Sequence, residues 1–184
     1  MIIAIHLAVM QQFCGINAVA IYGGKIAEKA TSGEFALLIG SLINFEQVLA
    51  CFVTGIVLTK FGRKIILQIG SLSIGISCLF IMIGFFIQDS APDASQGLIL
   101  FGLFMFMGFF GFSLGPIVWL YIPEIVQPRI VPYSTASNWI CAALVIILFP
   151  IITDNVLGGN PGVLFAIFTV WCFVSFVFNH FFVV

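Results

Sequence analysis

The chain has 184 residues, of which 62% are hydrophobic and only 7% charged; its mean hydropathy is +1.26 and its formal net charge −1. That composition lies far outside the range of water-soluble domains and marks an integral, multi-pass membrane protein. It presents no basic surface and no glycine-rich phosphate loop, which excludes nucleic acids and nucleotides as partners.

Apolar runs separated by short polar stretches predict six transmembrane helices: about Ile2 to Gly24, Phe35 to Leu58, Ile65 to Ile87, Leu98 to Ile122, Ser134 to Ile152, and Val163 to Val184. Each is close to the roughly 20 residues that cross a hydrocarbon core of about 30 Å. The runs are continuous and far longer than the roughly 10-residue alternating strands of a membrane barrel, and a helix satisfies its backbone polar groups from within. The expectation is an all-α membrane protein in which residues 1–184 form a single six-helix transmembrane domain in a lipid bilayer.

Lys60, Arg63, Lys64 and Arg129 fall in the second and fourth connections, whereas the third and fifth carry Asp89, Asp93 and Asp154 without Lys or Arg. Basic loops stay on the cytoplasmic side, so both termini are predicted inside. The first connection, with Lys25 and Lys29 beside Glu28 and Glu34, runs against this pattern. Nothing near Met1 resembles a cleavable leader, and the first span is expected to be retained.

Within the first span, Gln11, Gln12 and Asn17 interrupt an apolar helix, and Gly15 loosens it. Carboxamides at that depth must face protein, water or a ligand. Two readings are open: hydrogen-bonded glue between helices, or one wall of a polar cavity. The second span places Asn44 and Gln47 three residues apart on one face, with Glu46 about a quarter turn away. Glu46 reads either as an acid near the headgroups or another helix, or, at depth, as a protonated or paired group.

The tight basic turn Lys60-Phe61-Gly62-Arg63-Lys64 follows as a topology anchor, and Ser71-x-x-x-Gly75 in the third span suits close helix packing. In the fourth span Pro116 removes a backbone donor and Gly115 beside it permits a break. That makes either a kinked packing helix with Gly111-x-x-x-Gly115 as its contact face or a gate lining a cavity. The fifth span opens with Tyr133-Ser134-Thr135-Ala136-Ser137-Asn138-Trp139, where Ser134 is a candidate N-cap after Pro132. The sixth is rich in Phe, with Trp171 a candidate interfacial residue. Cys14, Cys51, Cys78, Cys141 and Cys172 lie one to a span and read as small buried apolar residues; His6 and His180 join no cluster. No metal, cofactor or acid-base pair is implied, so an enzyme is not expected.

Several of these stretches resemble sugar porters of the major facilitator superfamily. Gln11-Gln12-x-x-Gly15-Ile16-Asn17 resembles the opening of the family's seventh helix, and Gly115-Pro116-x-x-Trp119, followed five residues later by Glu124, resembles its tenth. Asn138-Trp139 matches a pair in the eleventh helix. The basic turn looks like the D-x-x-G-R-R/K loop between helices eight and nine, with Thr59 where the acid is expected. After Glu124 the chain departs: the link is shorter, Val131 stands for the second arginine, and the family's P-E-T-K-G tail is absent.

The resemblance covers helices seven to twelve, one six-helix half of a porter whose two halves hold the substrate between them. It implies transport of a monosaccharide, a hexose, by alternating access. Gln11, Gln12, Asn17, Gln47 and Asn138 would hydrogen-bond sugar hydroxyls, and Phe110 and Trp119 would pack on the ring. Gly115 and Pro116 would bend a gate, Tyr22 would be an outer-gate aromatic, and Arg63, Lys64, Glu124 and Arg129 would form a cytoplasmic charge network. The implied partners are a small-molecule sugar and an amino-terminal six-helix half or a second copy, with facilitated and proton-coupled transport both open. The alternative is a sugar sensor or degenerate half that does not transport.

Overall fold

The computed structural model of the chain describes residues 1–30 and 36–183, with side chains described for 1–26 and 38–183. The described residues form eight helices: α1 (Ile2–Phe13), α2 (Ile16–Ala30), α3 (Ala36–Val57), α4 (Arg63–Phe86), α5 (Pro92–Phe112), α6 (Leu114–Ile125), α7 (Val131–Asn155) and α8 (Gly162–Phe182). They build six membrane-length segments, because α1 with α2 and α5 with α6 are each one span interrupted within. The expected starting point of the second span, Phe35, and the expected end of the sixth, Val184, lie outside the described residues, as do Glu34 and the side chains of Glu28 and Lys29.

The first interruption corrects the expectation of one continuous helix from Met1. Gly15 has φ +96°, a left-handed conformation that an L side chain resists. A Cβ there would also stand 2.6 Å from the Phe168 ring of α8. The helix therefore stops at Phe13 and restarts at Ile16, then runs past Gly24 to Ala30.

The second interruption falls at Ser113 (φ −128°, ψ −85°), upstream of the expected Gly115-Pro116. Proline is the cause at a distance: Pro116 has no N–H for the carbonyl four residues earlier, on Phe112, and α5 ends at that residue. Gly115 and Pro116 themselves lie in the first turn of α6.

Two other boundaries move for local reasons. Helix α5 begins at Pro92 rather than Leu98, since proline suits a first helical turn and Asp93 complements the positive end of the helix dipole. Helix α7 begins at Val131, with Pro132 in its opening turn, so Ser134 is not an N-cap. Ser134 is buried inside the helix, and its hydroxyl has no partner among the described residues.

Helix α4 packs between α5 and α8, α3 lies on α5 and α2, and α1 lies chiefly on α7 and α6. The packing face expected on the third span is present: Gly75 meets Cys172 and Phe173 of α8, and Asn179 of α8 donates to Ser71 at 3.0 Å. Phe85, Phe106, Phe165, Leu7 and Met10 fill the centre. The outer surface remains apolar, with Phe52, Trp139, Ile147 and Phe181 exposed, as befits a body that lies in lipid. All five cysteines are free thiols; Cys51 departs from the sequence reading in being exposed.

Candidate functional site

The polar residues of the first span meet those of the fifth across 126 positions of sequence. Asn17 Nδ2 donates to Gln12 Oε1 at 2.6 Å, and Gln12 Nε2 donates to Asn138 Oδ1 at 2.8 Å. Asn138 Nδ2 in turn donates to Gln11 Oε1 at 2.8 Å and to the Ala8 carbonyl at 2.9 Å. Gln11 Nε2 completes the chain by donating to the carbonyls of Leu114 at 2.8 Å and Gly115 at 3.2 Å. Four carboxamides thus form one directed relay that bridges the Gly15 break and reaches the start of α6. Gln11, Gln12 and Asn138 are 2%, 8% and 1% exposed, and Asn17 is half-buried.

An amide offers two N–H donors and one carbonyl, and the relay uses them unevenly. Both donors of Gln11 and of Asn138 are engaged by protein. Gln12 keeps one N–H, and Asn17 keeps one N–H and its carbonyl oxygen, without partners among the described residues. The amide capacity open to a ligand is therefore concentrated on Gln12 and Asn17.

The remaining expected site residues are distributed around this relay. Gln47 lies outside it, on α3, with its backbone and Cγ against Gly111 of α5. Asn44 donates to the Gly40 carbonyl of its own helix at 2.8 Å. Phe110 is 5% exposed and stacks along its helix on Phe106, with its ring against Gly115, whereas Trp119 is 42% exposed. Neighbouring positions on α7 diverge likewise: Asn138 points inward and Trp139 outward, because successive helical residues are about 100° apart.

Tyr22 ties α2 to α7. Its ring stacks on Phe149 at 5.5 Å, and its hydroxyl donates to the Ile146 carbonyl at 2.9 Å. That carbonyl lies four residues before Pro150 and so lacks its helical donor. The same device operates at the other proline. Thr54 of α3, 1% exposed, donates to the Phe112 carbonyl at 2.6 Å, the group that Pro116 leaves unserved. Sequence reading missed Thr54, since a single threonine in an apolar run carries no motif.

At the other end of α6, Arg63 grips Glu124 side-on, Nη2 to Oε1 at 2.9 Å and Nε to Oε2 at 3.2 Å. This pair joins the start of α4 to the end of α6. Neither Lys64 nor Arg129 forms an ion pair with a described residue. Thr59, standing where the acid of the basic-turn pattern was expected, folds its hydroxyl onto the Ile56 carbonyl at 2.7 Å.

A family model described as "Sugar (and other) transporter" matches residues 1–184. Hexose transporter 1 of Plasmodium yoelii yoelii is 30% identical over 183 residues, 96% of this chain and 35% of that protein. Glucose transporter GlcP of Staphylococcus epidermidis is 32% identical, covering 97% of this chain and 38% of that one. Facilitated trehalose transporter Tret1-1 of Drosophila sechellia is 35% identical, covering 96% and 21%. The chain thus spans between about a fifth and two fifths of the length of these relatives.

Among solved structures, a proton:xylose symporter of the major facilitator superfamily, bound to 6-bromo-6-deoxy-D-glucose, superposes with a TM-score of 0.87 over all of this chain and 39% of its own, at 24% identity. A crystal structure of a D-xylose-proton symporter gives 0.86 at 25% identity, over all of this chain and 42% of its own. The six-span arrangement is therefore part of that transporter fold. Matched from first residue to last by the family model, the chain belongs to the family of sugar (and other) transporters.

Proposed function

We propose that the chain is one six-helix half of a carrier that moves a monosaccharide, a hexose, across the bilayer by alternating access, completed by an amino-terminal half or by a second copy. The observation that carries this reading is the relay Asn17–Gln12–Asn138–Gln11, which joins both broken spans and leaves donors and an acceptor open on Gln12 and Asn17. Neutral hydroxyls are well matched by amides, which both donate and accept, and by an exposed indole such as Trp119, with no buried charge to desolvate. The three open groups on Gln12 and Asn17, at roughly 1 kcal/mol each, together with packing on the indole, correspond to about millimolar affinity, weak enough for release.

Alternation would run through the breaks at Gly15 and Ser113, where short helices are held by side-chain hydrogen bonds that a moving partner can exchange. With basic turns inside, both termini are cytoplasmic and Arg63–Glu124 latches the inner end. Proteoliposomes containing the assembled transporter should take up labelled glucose, and Gln12→Ala or Trp119→Ala should sharply reduce that uptake at unchanged expression. Wild-type uptake by both variants would overturn the reading.

A second reading, a sugar sensor or a degenerate half, is favoured by one observation: of the four residues expected in the charge network, only Arg63 and Glu124 pair among the described residues. Sugar binding without uptake by the assembled protein would select it.

A further inference from the structure

Glu46 is used neither by the relay nor by the charged end. It is the eleventh of the 22 residues of α3, so about 15 Å of helix lies on either side of it and it stands at the middle of the hydrocarbon core. One carboxyl oxygen, Oε2, is buried with no hydrogen-bond partner among the described residues. The other, Oε1, lies over Gly108 of α5, 2.6 Å from where a Cβ would stand. The adjoining cavity of about 340 Å³ is otherwise lined by Ala50, Val53, Met105, Gly108, Phe109 and Phe112.

Among the described residues no cation answers this acid. Helix α3 packs on α5, α2 and α6. Their described ionisable side chains are Asp93, at the start of α5; Tyr22 and Lys25, in the cavity beside Asp154; and Tyr121 and Glu124, in the last turns of α6. Cys51 lies on α3 itself. None of them lines the Glu46 cavity. A bare carboxylate at that depth costs several kcal/mol, and a neutral carboxylic acid does not.

We propose that Glu46 is a proton-binding site linked to the movement of the gate. Against this apolar lining it holds its proton; when water enters, the O–H bond breaks, the proton passes to water and the negative charge stays on the carboxylate. The link to the gate is structural. Phe109 and Phe112 form the cavity wall and belong to the last turn of α5, and the Phe112 carbonyl is held by Thr54, two turns along α3 from Glu46. A swing of α6 about Ser113 therefore reshapes the cavity around the acid. The inference rests on the carrier reading, and it makes transport proton-linked through a residue of this half.

Infrared difference spectroscopy of the chain in lipid, between neutral and alkaline pH, should show a protonated-carboxyl C=O band that vanishes in Glu46→Gln and persists in Glu46→Asp. A wild-type spectrum without that band, or a band unchanged by Glu46→Gln, overturns the proposal. In the assembled transporter, uptake should rise with external acidity, and Glu46→Gln, which imitates the neutral acid, should bind sugar as the wild type does while losing the pH dependence. A wild-type pH profile in Glu46→Gln overturns it as well. Absence of sugar binding in the wild type would sink the carrier reading instead, with the infrared result still deciding whether Glu46 holds a proton.

Discussion

The hydroxyl of Thr54 donates to the carbonyl of Phe112, the one backbone acceptor that Pro116 deprives of its donor. Tyr22 does the same for Ile146 ahead of Pro150. Inside a membrane no water is at hand to satisfy a freed carbonyl, so a proline break is tolerated only where a neighbour supplies the hydrogen. Thr54 has one proton and a second acceptor at 3.0 Å, the Ala50 carbonyl of its own helix. The same proton can therefore serve the α5 carbonyl or the α3 carbonyl.

Thr54→Val keeps the side-chain shape and removes the donor. Stability should fall by about 1–3 kcal/mol, the cost of an unserved buried carbonyl. Thermal unfolding in detergent should show the loss for valine and its recovery in Thr54→Ser; equal stability of valine and wild type would refute the role.

Gln11 and Gln12, adjacent in sequence, should respond differently. Gln12→Ala removes an amide with an open donor and should weaken sugar binding about tenfold, as the loss of one or two bonds would. Gln11→Ala leaves one buried Asn138 donor unserved and removes the tie from α1 to the start of α6, so it should lower the unfolding temperature more than the affinity. Equilibrium binding and thermal unfolding on the same two variants separate these effects.

Gly15→Ala meets two obstacles, a left-handed backbone worth about 1–2 kcal/mol and the Phe168 ring. Combining it with Phe168→Leu should relieve the collision and leave the backbone part. Full recovery in the double variant, measured by unfolding, would show that φ at this position does not matter.

The Arg63–Glu124 pair is about two-fifths exposed on each side. A double-mutant cycle should give only a small coupling, diminished by salt. Arg63→Lys should not restore it, since lysine lacks the planar fork that binds Glu124 side-on.

Much of this molecule is legible in its residues taken in order. Hydropathy and length are local properties, so the six spans follow from them, and Pro116 announces an interruption; the break at Gly15, where a continuous helix was expected, emerges only in the fold. Where an interruption falls is less local. The α5–α6 break sits at Ser113 because a proline takes its effect four residues upstream. Likewise, Ser134 has the chemistry of a cap but lies inside a helix that Pro132 had already opened.

The sequence by itself determined the membrane class, the helical form and the amides that had to find partners. Which partner each amide found was decided by tertiary structure alone. Gln12 and Asn138 meet through the packing of α1 on α7, and the rotation of each helix about its axis separates buried Phe110 from exposed Trp119 and engaged Gln11 from partly open Gln12. Hydrogen bonds between spans depend on that rotation and on helix contact, and neither is encoded in the neighbours of a residue along the chain.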